Sequence, residues 1–222
     1  MKIPKITLDF VEYLKNAKDK TVRVKDLKIS VFGSVFPPAS AYSASTRRTY
    51  DALSAQLGGK QVLDIGTGSG VLGLLAALCG ACVDAIDCDS VAVSCAAYNS
   101  IENNLPMKVW QSDMFASVPP KKYDLLIANL PILPHKHDCV ALFDSGYRCH
   151  NELFAKGANY LAPNAPILMT TANLVPTQFS TIEQLAMKHY FVPTILSSEK
   201  DLGYVWRTYF FSQHKQTRGS LT

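Results

Sequence analysis

The chain has 222 residues, 48% of them hydrophobic and 18% charged, with a formal net charge of +4. That length and composition fit one α/β domain with a buried core and a short appendage, and exclude a disordered or fibrous chain. No apolar run approaches the roughly 18 residues that span a bilayer, and the start of the sequence lacks the long apolar stretch of a secretory signal, so a cytoplasmic protein with no membrane partner is expected.

The positive charge is local. The first thirty residues carry Lys2, Lys5, Lys15, Lys18, Lys20, Arg23, Lys25 and Lys28 against Asp9, Glu12, Asp19 and Asp26. Such a patch suits an anionic partner such as RNA, but at this modest charge a solvated charged helix plus hairpin is the stronger reading. Residues 7–18 read as a short amphipathic helix, and residues 21–36 as one or two strands, broken by Pro37-Pro38. Residues 1–38 are therefore expected as a helix-plus-hairpin appendage, 39–213 as the main domain and 214–222 as a polar tail. Ser45-Thr46 reads as the cap of a helix running to Leu57, which Gly58-Gly59 ends.

From Gln61 onward apolar strands (61–65, 82–87, 107–112, 123–129, 166–172) alternate with helical stretches (70–78, 90–103, 146–161). This is the signature of βαβ units and a parallel sheet covered on both faces. A helix near 177–188 and strands near 191–198 and 203–212 close the chain. Gly203 between those strands predicts an antiparallel pair at the sheet edge. Cys79-Gly80-Ala81-Cys82 has no second CxxC or His pair at zinc spacing, and His135-Lys136-His137-Asp138-Cys139 reads as a solvated loop whose alternating residues point apart, with a substrate-side role left open. No metal site is expected, and the six cysteines read as thiols in a reducing compartment.

The strand Val62-Leu63-Asp64-Ile65 runs into Gly66-Thr67-Gly68-Ser69-Gly70 and then a helix. Glycines permit a sharp turn and close backbone approach to a ligand at the carboxyl ends of the strands. The overlapping Gly68-Ser69-Gly70-Val71-Leu72-Gly73 fits a dinucleotide loop equally well. Three acids discriminate. Asp64, just before the glycines, would repel a pyrophosphate and can hold a ligand's ammonium group, directly or through water. Asp87, with Cys88 beside it, ends the next strand and can accept from both ribose hydroxyls. Asp113 ends the third and can accept from an adenine amino group, with Met114 and Phe115 covering the ring.

Val62 through Pro131 resembles the class I S-adenosylmethionine-dependent methyltransferases, and most of all the HemK-like glutamine methyltransferases and relatives with a methyltransferase small domain. The matching stretches are 62–70, Asp87-Cys88-Asp89 with a helix ending at Asn99, Asp113-Met114-Phe115, and Tyr123-Asp124-Leu125-Leu126-Ile127-Ala128-Asn129, and the span that holds them is about a third of the chain. The resemblance implies a Rossmann-like seven-stranded, mostly parallel sheet with an antiparallel last strand, and S-adenosyl-L-methionine as cofactor. It implies further that Asn129, the Leu130 carbonyl and Pro131 form a catalytic corner. There the family's Asn-Pro-Pro-Tyr accepts both N–H bonds of a planar NH2 group and aims its nitrogen at the methyl. Leu130 replaces the first proline, and Ile132 replaces the aromatic that would stack on a flat target; Tyr123, His135 or the N-terminal segment is left to cover it. Thr46 falls where relatives close over the methionine end of the cofactor.

The expected function is methyl transfer to an amide or exocyclic amine of a macromolecule, either an RNA or DNA base or a protein glutamine. The alternatives are a small-molecule methyltransferase, a non-catalytic S-adenosylmethionine-binding module and, more distantly, a dehydrogenase.

Overall fold

The computed structural model describes residues 5–39, 43–53, 57–139 and 141–214. The expected tail, from residue 215, lies outside the described residues, as do residues 54–56; the helix expected to run to Leu57 instead ends at Asp51, with Ala52 as its cap. Helix α1 (Lys5–Lys15) leads into a hairpin of β1 (Lys20–Val24) and β2 (Leu27–Val31). Helix α2 is Ala44–Asp51. Ser43 holds its cap position rather than Ser45 or Thr46, with its hydroxyl turned to the Pro37 carbonyl at 2.5 Å.

The βαβ series follows the hydrophobic alternation. It comprises β3 (Gln61–Ile65), α3 (Val71–Leu78), β4 (Cys82–Asp87), α4 (Ser90–Glu102), β5 (Met107–Gln111), β6 (Leu125–Ala128), α5 (Arg148–Gly157), β7 (Pro166–Ala172) and α6 (Gln178–Lys188). The long strands β8 (Phe191–Asp201) and β9 (Tyr204–Gln213) complete one seven-stranded sheet of order β5-β4-β3-β6-β7-β9-β8. The pairs among β3 to β7 are parallel, and β9 is antiparallel to both its neighbours. The expected antiparallel pair therefore lies at the edge of the sheet, with β8 outermost and β9 inserted between β7 and β8.

Strand residues alternate between two cores. Leu63, Ile65, Leu126 and Ile167 face the side covered by α5 and α6, through Leu153, Phe154 and Ile182. Val62, Val83 and Ile127 face the other side, under α3 and α4. The hairpin joins this second core, where Ile29 and Val31 pack with Leu72, Leu75 and Cys95. Two asparagines, Asn99 in α4 and Asn103 at its C-cap, fasten it as a neighbouring strand would. Asn99, fully buried, accepts from the Ser30 N–H at 2.8 Å and donates to the Ser30 carbonyl at 2.7 Å and to the Ser69 carbonyl at 2.9 Å. Asn103 repeats the pattern on Lys28, accepting and donating at 2.9 Å each. The hairpin is thereby tied both to α4 and to the glycine loop.

Among the described residues no helix is long and apolar enough to cross a membrane, and no group of His, Cys, Asp or Glu is placed to hold a metal.

Candidate active site

The chain runs from β3 outward to β4 and β5, then returns to the other side of β3 as β6 and β7. The reversal between β3 and β6 is the switch point where such sheets open a crevice. A cavity of about 390 Å³ lies there, walled by the loop after β3, the ends of β4 and β5, and residues 129–133 after β6.

Gly66 and Gly68 line it with φ of 69° and 56°, left-handed geometry that suits residues without a Cβ. Gly70 does not line it. Its φ is 82°, and a Cβ there would stand 3.0 Å from that of Ala96, so its glycine serves the approach of α3 to α4. Asp64 also departs from expectation: it does not reach the cavity. By strand alternation it shares a face with Val62 and turns under α3, with 1% of its surface exposed. Its Oδ2 accepts from the Thr67 hydroxyl at 2.6 Å and the Gly73 N–H at 3.0 Å. It thus takes a first-turn donor of α3 that the side-chain-less Gly70 at the cap position cannot satisfy. Burial still pushes its carboxyl up to about 6, against these hydrogen bonds.

Asp87 stands on the cavity wall as expected. Its oxygens accept from the Gly68 N–H at 2.9 Å and the Asp89 N–H at 3.0 Å, and each keeps lone pairs for a further donor. Burial raises its carboxyl above the usual range. Cys88 lines the cavity too. Burial and the neighbouring acids raise its thiol, which therefore stays protonated and apolar.

Asp113 and Met114 both line the cavity, but Asp113 is engaged by Arg148 at 2.9 and 3.1 Å, a paired contact with both side chains more than half exposed. Phe115 is corrected: it lies in the core, stacked on Tyr160 with ring centroids 4.5 Å apart, and covers no ligand.

At the end of β6, Asn129, Leu130, Pro131 and Ile132 all border the cavity. Asn129 Nδ2 donates to Thr46 Oγ1 at 3.1 Å, so Thr46 reaches the site as expected. Asn129 Oδ1 is buried and has no hydrogen-bond partner. The Ile132 carbonyl is held by Gln178 Nε2 at 2.7 Å, which fixes the segment after the corner. Of the proposed covers for the target, Tyr123 is excluded, being fully buried with its hydroxyl on Asp84 at 2.9 Å. His135 is not on the wall either. The N-terminal segment is there, through Thr7, Phe10, Val35 and Phe36.

Sequence reading missed Arg148 at the start of α5, and Tyr204 and Trp206 at the start of β9. Arg148 left no local signal. The β9 residues did: an antiparallel strand returning beside β7 must begin at the carboxyl ends of the parallel strands, where the site lies.

The family model of the methyltransferase small domain matches residues 40–194. Among curated proteins, the ribosomal RNA small subunit methyltransferase C of Chromohalobacter salexigens is 37% identical over 89 residues, 39% of this chain and 26% of that protein. The ribosomal protein L11 methyltransferase of Deinococcus radiodurans is 32% identical over 143 residues, 59% of this chain and 45% of that protein. The match thus spans less than half of each of these relatives. Among solved structures, the T. Thermophilus 16S rRNA N2 G1207 methyltransferase, in complex with AdoMet and guanosine, superposes with a TM-score of 0.68 at 18% identity, covering 89% of this chain and 50% of that one. A methyltransferase from Pyrococcus furiosus gives 0.68 at 17% identity, covering 86% and 91%. These structural likenesses bear out the Rossmann-like sheet. The family model covers well over half of the sequence, and the chain belongs to the methyltransferase small domain family.

Proposed function

We propose that the protein transfers the methyl group of S-adenosylmethionine to a planar NH2 nitrogen of a macromolecule. The observation that carries this is the buried, unpartnered Oδ1 of Asn129 at the switch-point cavity, with the rest of the amide held by Thr46. A buried acceptor without a donor costs about 1–3 kcal/mol, a cost that an incoming N–H offsets.

The residues on the wall fit the cofactor. Gly66 and Gly68 let it approach the loop backbone, Asp87 has spare lone pairs for two ribose hydroxyls, and Met114 offers an apolar cover for adenine. Asp113 takes the adenine amino group by giving up part of its pairing with Arg148, an exposed pair that contributes little stability. When bound, S-adenosylmethionine supplies a sulfonium-activated methyl group. The protein's task is orientation. Asn129 Oδ1 accepts one acceptor N–H and the Leu130 carbonyl accepts the other, while Pro131 restricts Leu130 to extended backbone. Holding both N–H bonds turns the nitrogen toward the methyl and stabilises the charge that develops on it, so no strong base is needed.

Asn129→Ala should lower methyl transfer at least about 100-fold while S-adenosylhomocysteine affinity stays within a few-fold. Undiminished turnover would sink the assignment. Label from tritiated S-adenosylmethionine in a cell extract should fall in the nuclease- or protease-sensitive fraction; label resistant to both would favour a small-molecule acceptor.

A further inference from the structure

The acceptor end of the cavity has an aromatic wall that no feature near Ile132 predicts. Tyr204 and Trp206, two residues apart on β9, share one face of the strand and both border the cavity. Tyr204 packs with Ile132 and Leu174 against the buried cluster of Ala44, Ala172 and Trp206. The end of the β8–β9 hairpin that presents it is clamped. Arg47 and Arg48 of α2 both reach Asp201 Oδ2, at 2.7 and 3.3 Å, and Trp206 Nε1 donates to the Asp201 carbonyl at 3.1 Å. The buried Arg48 guanidinium lies 5.7 Å from the centre of the Trp206 ring. Helix α2, which grips this hairpin, also supplies the Thr46 that holds Asn129. The amide acceptor and the aromatic wall therefore stand on one frame.

We infer that Tyr204 is the stacking surface for a flat acceptor and that this acceptor is a nucleobase carrying an exocyclic amine. The inference rests on the function proposed above. Ile132 offers edge and volume but no π-face, so the planar contact has to come from another element, and Tyr204, packed against the same buried cluster as Ile132, brings a ring to that wall. A nucleobase covers a phenol ring, whereas a side-chain amide covers only a fraction of one.

The test uses the full chain, deproteinised ribosomal RNA and tritiated S-adenosylmethionine, followed by digestion to nucleosides. Tyr204→Leu keeps apolar volume and removes the ring. It should raise KM for RNA about tenfold, the size of one lost base–aromatic stack, while S-adenosylhomocysteine affinity changes less than about twofold. Tyr204→Phe should recover most of that loss, and Tyr204→Trp, a larger face, serves if the leucine variant does not fold: it should leave KM no higher than the phenylalanine variant does. Equal KM for the leucine and phenylalanine variants, or a tryptophan variant that loses RNA methylation, overturns the role of Tyr204. No label in RNA, with label entering glutamine when a nuclease-treated protein extract replaces the RNA, overturns the nucleobase while leaving methyl transfer at Asn129 standing. Full activity of Asn129→Ala overturns the underlying reading whatever Tyr204 does.

Discussion

Asp64→Asn isolates a conflict built into the glycine loop. Asp64 is needed as an acceptor for Thr67 and Gly73, yet it is sealed from water, and its carboxyl sits at about 6 instead of the ordinary 3.8. Both hydrogen bonds fall on one oxygen, so an asparagine carbonyl can accept them both. A carboxyl whose folded value is raised binds more protons folded than unfolded between those two values, so stability falls as pH rises through that window and stays lowered above it. At about 1.4 kcal/mol per pH unit the gap amounts to about 3 kcal/mol by pH 8. The wild type carries this loss and Asp64→Asn does not. Urea unfolding of both proteins from pH 3.5 to 8 should therefore show the variant gaining about 3 kcal/mol on the wild type as pH rises, above any constant offset from the amide itself. A difference that stays flat across that range would refute the reasoning, since it would mean that the folded protein does not destabilise the ionised carboxylate.

Gly73→Ala tests the packing beneath the same loop. A Cβ there meets Met107 Sδ at 2.9 Å and Asp64 Oδ2 and Val83 at 3.2 Å, so a change that normally favours a helix should here cost about 1–3 kcal/mol and lower Tm by several degrees; an unchanged Tm would show that the neighbours yield freely. Asn99→Ala strips three hydrogen bonds between α4, the hairpin and the Ser69 carbonyl, and should cost about 3 kcal/mol and speed amide exchange in residues 28–31 ahead of the sheet; exchange rising uniformly over the whole chain would argue against a local tie. Asp87→Ala should weaken S-adenosylhomocysteine at least about tenfold by calorimetry, and affinity equal to the wild type would remove Asp87 from the site.

The sequence carried the order and type of the elements because their alternation of apolar and polar residues is set by burial on both faces of the sheet. It pointed to Asp87, Met114 and Asn129 on the cavity wall because Asp87 ends β4 and the other two follow closely on β5 and β6, where the chain crosses the carboxyl edge. It misled at Asp64, where strand parity, legible in Val62-Leu63-Asp64-Ile65, already pointed the carboxylate under α3. It misled again at Phe115, because two residues beyond Asp113 the chain turns back into the core around the left-handed Met114, whose φ is 47°. Asn99 was read as the end of a matching stretch, but its hydrogen bonds to a hairpin 69 residues earlier are not a local property. Arg148 escaped for the same reason, whereas Tyr204 and Trp206 could have been found from the antiparallel return of the last strand, which starts β9 at the carboxyl ends of the parallel strands.

The place of β9 between β7 and β8 has a consequence for synthesis. The parallel half of the sheet can assemble as it emerges, each strand laid beside one already made. The other half cannot, because β8 leaves the ribosome before the strand that must separate it from β7. Until residues 204–213 follow, β7 has an open edge and β8 no partner, and Phe154 and Ile182 lack the cover of Tyr209 and Phe211. The nascent protein is thus exposed to wrong pairing until its final strand slides into the gap, and that same late strand delivers Tyr204 and Trp206, so the site is completed by the step that closes the sheet.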